Sequence, residues 1–154
     1  MSYLLFILFS VLSVFSAFGE VNPLTIPADN SKTVDIKVVI TNIKSQKGII
    51  RIGVFNNSKS FLNKGEEFMT LEKRPSGETL VFYLIGLKKD DYAISLYHDV
   101  NSDDKCNMNL LLRPTEPIGF SNNVKLKLFK PSFEDCKFTA NSDMEITIRL
   151  TDLQ

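Results

Sequence analysis

The sequence predicts an all-β fold, a single antiparallel β-sandwich of immunoglobulin-like or prealbumin-like type with about seven strands. Apolar and polar residues alternate at period two in several short runs. Turn-forming residues separate those runs, and beyond the N-terminal segment helix formers never recur at i, i+3, i+4 for three turns. Each half-apolar strand must bury one face, so two facing sheets are the economical arrangement. The 154 residues suit one domain, and 44% hydrophobic with 23% charged residues is ordinary for a globular protein.

The chain opens "MSYLLFILFSVLSVFSAFGE", with no charged side chain before Glu20. Its apolar run, Tyr3 to Phe18, is short for a bilayer span. It ends in Ala17-Phe18-Gly19, small residues at the positions a signal peptidase inspects. The expected organisation is a signal peptide over 1–19, a leader over 20–32 and a β-sandwich domain over 33–154. The product is expected to be secreted, periplasmic or extracellular, with no membrane span after cleavage.

The strands follow in order. In "TVDIKVVITNI", Val34, Ile36, Val38 and Ile40 share one face. After the turn "KSQKG", the run "IIRIGVFN" puts Ile50, Ile52 and Val54 together, and the two runs read as a hairpin. Residues 57–78 read as a long polar connection with one helical turn, anchored by Phe61, Leu62, Phe68 and Leu71. "TLVFYLIGL" is apolar on both faces and is expected to be a central strand. "YAISLYHDV" follows the corner "KKDD", and Tyr92 stands where a tyrosine corner or an ordinary core aromatic would sit. "VKLKLF", "PSFEDCKFTA" and "MEITIRLT" complete the strand candidates.

Charge excludes some partners. The formal net charge is +0, from 18 basic and 18 acidic residues. No basic block recommends nucleic acid or an anionic membrane surface.

The chemistry concentrates in "YHDVNSDDKCNMNLLLRPTEPIGFSNN", Tyr97 to Asn123, which holds the chain's one histidine. Asp99, Asn101 and Asp103 have the i, i+2, i+4 spacing that opens a calcium loop, and Asn107 and Glu116 could add oxygens. An EF-hand is excluded because Asp104 replaces the glycine and Leu110 replaces the bidentate glutamate. Two expectations stand: a looser calcium site, or a polar loop held by Asx turns. Zinc is disfavoured, with one His and a cysteine expected to be oxidised. Cys106 and Cys136, in an exported chain, are expected to form a disulfide closing about 30 residues.

Catalysis has weak support. His98 and Asp99 are adjacent on a strand and point to opposite faces. No nucleophile elbow surrounds Ser121. The leading expectation is a non-enzymatic binding or structural module with an extracytoplasmic ligand or protein partner. The alternative is a hydrolase using His98, Asp99 and Glu116. Pro114, Pro117 and Gly119 stiffen and turn the second half of the stretch. There His98, Glu116, Phe120, Ser121 and Asn122 are the candidate loop latch and binding surface. Asn56-Asn57-Ser58 is an N-glycosylation sequon, relevant only in a eukaryotic source.

Four segments resemble one family, that of domain of unknown function 2141. They are "VVITNIKSQKGIIRIGVFN", "LIGLKKDDYAISLYHDVNSDDKCNMN", "RPTEPIGFSNN" and "PSFEDCKF", spread from Val34 to Leu150. The resemblance implies a small exported β-sandwich with no assigned activity. The chain departs from the family pattern where Asp90 and Asp91 occupy a corner usually held by glycine. It departs again where Leu110 to Arg113 precede the first proline, and where Asn107 replaces an acid.

Overall fold

A computed structural model describes residues 32–126 and 129–152. The expected signal peptide and nearly all of the leader lie outside the described residues. Eight strands are described: β1 (Thr33–Thr41), β2 (Ile49–Phe55), β3 (Met69–Lys73), β4 (Leu80–Lys88), β5 (Asp90–Asp99), β6 (Ile118–Phe120), β7 (Phe138–Ala140) and β8 (Met144–Arg149). One short helix, α1 (Phe133–Cys136), precedes β7.

The strands form two sheets in contact. The smaller has the order β4-β1-β8; the larger runs β3-β2-β5-β6, with β7 also paired to β5. Period-two patterning decides what fills the space between them. β1 sends Val34, Ile36, Val38 and Ile40 inward, and β2 sends Ile50, Ile52 and Val54. β5 adds Tyr92, Ile94 and Leu96, and β8 adds Ile148, all buried in one core. Fully burying each such aliphatic side chain is worth about 1.5–3 kcal/mol.

Several expectations are corrected. β1 and β2 are not a hairpin: β1 pairs with β4 and β8, whereas β2 pairs with β3 and β5. Their connection carries its own apolar anchor. Asn42 adopts φ 64°, Ile43 is buried, and its N–H donates to the Glu78 carbonyl at 3.1 Å. The chain therefore crosses the core between sheets. The sheets are not purely antiparallel either, because β1 and β8 pair in parallel.

β4 is an edge strand, not a central one, since β1 occupies the middle of its sheet. Its second apolar face, Val81, Tyr83 and Ile85, is exposed. The connection over 57–78 contains a strand, β3, that was not expected. The predicted strand "VKLKLF" is irregular over Val124–Leu126, and positions 127–128 lie outside the described residues. "PSFEDCKFTA" begins as a helix because Ser132 and Asp135 form a capping box.

The tyrosine corner is made. The buried Tyr92 hydroxyl donates to the Lys88 carbonyl at 3.0 Å, fixing the passage from β4 to β5 between sheets. Among the described residues, no helix is long and apolar enough to cross a membrane.

Candidate functional site

β5 is buried on both faces, which places its last two residues in opposite environments. His98 points toward the core side with Ile50 and Leu96. Its Nε2 lies 2.8 Å from the Lys47 carbonyl, so that nitrogen carries the hydrogen, and its buried Nδ1 has no hydrogen-bond partner among the described residues. Asp99 points to the outer side and is fully buried. Its carboxylate accepts Arg51 Nε at 3.0 Å and the N–H groups of Asp103 at 3.1 Å and Asp104 at 3.0 Å. Burial opposes its charge, but Arg51 and the N–H groups of Asp104, Asp103 and Ser102 outweigh that and hold it below the ordinary carboxylate range.

Arg51 organises this end of the sheet. It lies opposite Tyr97 on β5 and Glu72 on β3. Besides Asp99, its guanidinium engages Glu72 and Asp104. Its side chain is only 18% exposed. Gly48 makes the close approach possible: at φ 76°, a Cβ there would stand 1.9 Å from the Asp99 carbonyl oxygen.

Glu116 closes the loop from the other side. It is buried and accepts the N–H groups of Val100 at 3.2 Å and Asn107 at 3.3 Å. Burial pushes its pKa up, the two N–H groups pull it down, and Asp99 and Asp103 add repulsion, leaving it raised. Glu116 and His98 do not bond each other, so Glu116 anchors backbone amides. Asp103 accepts Asn107 Nδ2 at 3.0 Å, Asn101 Nδ2 at 3.1 Å and the Lys105 N–H at 3.1 Å. The side-chain oxygens of Asp99, Asn101, Asp103 and Glu116 thus face internal donors. Among the described residues no group of three or more His, Cys, Asp or Glu side chains could hold a metal ion.

The following segment is a clip. The buried Ser121 hydroxyl donates to the Cys136 carbonyl at 2.5 Å and accepts the Ile94 N–H at 2.9 Å. Asn122, at φ 60°, donates to the Asp135 and Lys137 carbonyls at 3.2 and 2.8 Å. Asn123 donates to the Thr147 carbonyl at 2.9 Å and accepts the Arg149 N–H at 2.7 Å. Phe120 is buried in a second cluster with Phe55, Phe133 and Cys136.

The expected disulfide is absent: Cys106 and Cys136 are free thiols. Cys136 is fixed at the end of α1 by the capping box and by Ser121, while Cys106 lies in the loop beside Tyr97. The pinning expected of a disulfide is done by the hydrogen bonds of Ser121, Asn122 and Asn123. Burial pushes both thiols up to about 11.

A groove of about 460 Å³ opens on the outer face of the larger sheet, and sequence reasoning missed it. Outward pairs along β2 and β5 run Arg51–Tyr97, Gly53–Ser95, Phe55–Ala93. The missing side chain at Gly53 lets the Phe55 ring and Glu67 lie over it, 3.0 and 3.2 Å from where a Cβ would stand, and the groove is lined there by Ser95, Phe55 and Glu67. Lys64 and Lys105 are also among its lining residues. Three acids share the lining: Glu72 and Asp104, engaged by Arg51, and Glu67, which accepts the Gly65 N–H at 2.8 Å. Burial, with Asp99, Cys106 and Glu116 nearby, pushes Tyr97 up to about 12 despite Arg51. Gly53 between the bulky Arg51 and Phe55 was the available signal, but reading it requires the strand pairing to be known.

His98, Asp99 and Glu116 make no hydrogen bond among themselves, so the residues of the hydrolase alternative are near in sequence but not assembled. Asn56, the sequon residue, sits half-buried just after β2.

No curated protein and no solved structure matches the chain. A family model described as an uncharacterized protein conserved in bacteria matches residues 38–148. With that match covering most of its length, the chain belongs to the domain of unknown function 2141 family.

Proposed function

We propose that this is an exported, non-enzymatic binding module that takes a small, largely apolar ligand carrying an acidic group. The observation that carries the reading is the groove beside Ser95 on the outer face of the larger sheet. Its walls include Phe55, Leu62 and Tyr97, and Lys64 and Lys105 line it together with Glu67. Concave, mostly apolar sites with a few polar groups are where small molecules bind. The loop held by Arg51, Asp99 and Glu116 forms one wall, so its rigidity serves the site. Export is supported by the apolar opening through Gly19. The immunoglobulin-like or prealbumin-like reading of the sandwich is supported by the tyrosine corner.

The test uses anilinonaphthalene sulfonate, an aromatic anion of matching chemistry. The wild type should enhance its fluorescence saturably. Ser95→Tyr, which fills the groove floor from its open side, should remove the enhancement while leaving the thermal midpoint unchanged. Equal enhancement by both proteins would refute the groove.

A second reading, calcium in the same loop, is favoured by the convergence of Asn101 and Asn107 on Asp103. In it Asp99, Asn101, Asp103, Asn107 and Glu116 would exchange internal donors for the ion. A melt in excess calcium against chelator separates the two: a raised midpoint supports calcium, and coincident melts support the loop built on Arg51.

A further inference from the structure

The tip of the end loop presents apolar side chains to solvent on an ordered frame. Leu110, Leu111 and Leu112 are 102%, 76% and 83% exposed, and Met108 beside them is 48% exposed. This is no loose coil. The Thr115 N–H donates to the Asn107 carbonyl and the Asn109 N–H to the Arg113 carbonyl, both at 2.8 Å. The Asn109 side chain accepts the N–H groups of Leu111 at 2.9 Å and Arg113 at 3.1 Å. A bridge between Met108 and Pro114 closes the base of the finger.

The composition runs against what a solvated turn selects. Leu112 sits at φ 55°, a conformation that disfavours leucine and that glycine or asparagine would adopt at little cost. From Cys106 to Thr115, Arg113 is the only charged residue, and no acid lies in that stretch.

We infer that this finger inserts its leucines into the surface of a lipid bilayer. Each of the three leucines is at least three-quarters exposed, so none shelters another, and a rigid protein face would cover some and leave others wet. Fluid hydrocarbon wraps all of them. Arg113 and Asn109, next to the leucines, stand where headgroups would be. The attachment is driven by apolar burial rather than by net charge, which is +0. It is peripheral, needs no span, and does not depend on the groove.

The test is vesicle flotation with the protein expressed from the full chain and purified after export. One vesicle set is phosphatidylcholine; the other mixes phosphatidylethanolamine and phosphatidylglycerol. The wild type should float with both and stay bound in high salt. Leu110→Ser/Leu111→Ser/Leu112→Ser should weaken binding by about tenfold or more. Leu112→Asn should weaken binding while holding or raising the thermal midpoint, since it relieves the backbone at that position. The inference is overturned if the wild type stays at the bottom with both vesicle sets. It is also overturned if the triple variant floats like the wild type, or if binding needs the anionic lipid and vanishes in high salt.

Discussion

Replacing Arg51 with alanine tests whether one side chain organises the loop end of the sheet. Asp99 is fully buried beneath it, and Arg51 itself is only 18% exposed. Breaking a fully buried ion pair on one side costs about 3–5 kcal/mol, whereas an exposed pair is worth about 0–1 kcal/mol. Asp99 keeps the N–H groups of Asp103 and Asp104 in the variant, so its charge is not stranded. The expected loss is therefore about 2–3 kcal/mol, read from urea unfolding at neutral pH. A cycle with Asp99→Asn should show coupling of about 1–2 kcal/mol, because each change removes the same contact. Amide exchange supplies the local readout: Ser102 to Asn107 should exchange faster in Arg51→Ala, with β1 unchanged. A loss under about 0.5 kcal/mol with additive cycle arms would refute the reasoning and make Arg51 an ordinary surface residue.

Gly48→Ala should destabilise by about 3 kcal/mol or more, since its Cβ would meet the Asp99 carbonyl at a left-handed φ; circular dichroism melts check it. Ser121→Ala strands the buried Ile94 N–H and the Cys136 carbonyl, and should cost about 2–4 kcal/mol in urea unfolding. Asp99 and Glu116 should show opposite pH dependence. Asp99 is held low in the fold, so its stabilisation is complete above its unfolded value of about 3.9 and fades as pH falls through the depressed folded value. The gap between wild type and Asp99→Asn should narrow on acidification. Glu116 is raised, so its ionisation costs stability as pH climbs above its unfolded value of about 4.3, and Glu116→Gln should look less harmful at pH 7 than at pH 4. Cys106 and Cys136, pushed up to about 11, should resist iodoacetamide at mildly alkaline pH in the native protein and both react in urea, as intact mass would show.

Much of the fold was legible because β1, β2 and β8 alternate apolar and polar residues, and alternation fixes which side chains enter the core. Partner choice was not legible. Nothing local distinguishes a hairpin from a crossing between sheets, and Ile43, the residue that decides it, looks like any isolated apolar residue in a turn. β4 misled for a related reason: a strand apolar on both faces resembles a central one, yet its outer face lies open at an edge.

At the site, the sequence drew attention to Asp99 and Glu116 as candidate calcium ligands and to His98, Glu116, Phe120, Ser121 and Asn122 as a candidate latch. Their partners were not legible. Arg51 lies 48 positions from Asp99 and reaches it only through the β2–β5 register. The groove is lined from β2, β3, β5 and the loops around Leu62 and Lys105, so no single segment encodes it. The disulfide failed because an even cysteine count carries no distance, and hydrogen bonds already held the segment it was expected to pin.

The most direct measurement of the central claim is native mass spectrometry of the protein purified gently from its export compartment, beside Ser95→Tyr. A small-molecule adduct on the wild type that disappears from Ser95→Tyr is the predicted result. An unliganded wild type, or an adduct carried equally by Ser95→Tyr, would contradict the groove as the binding site.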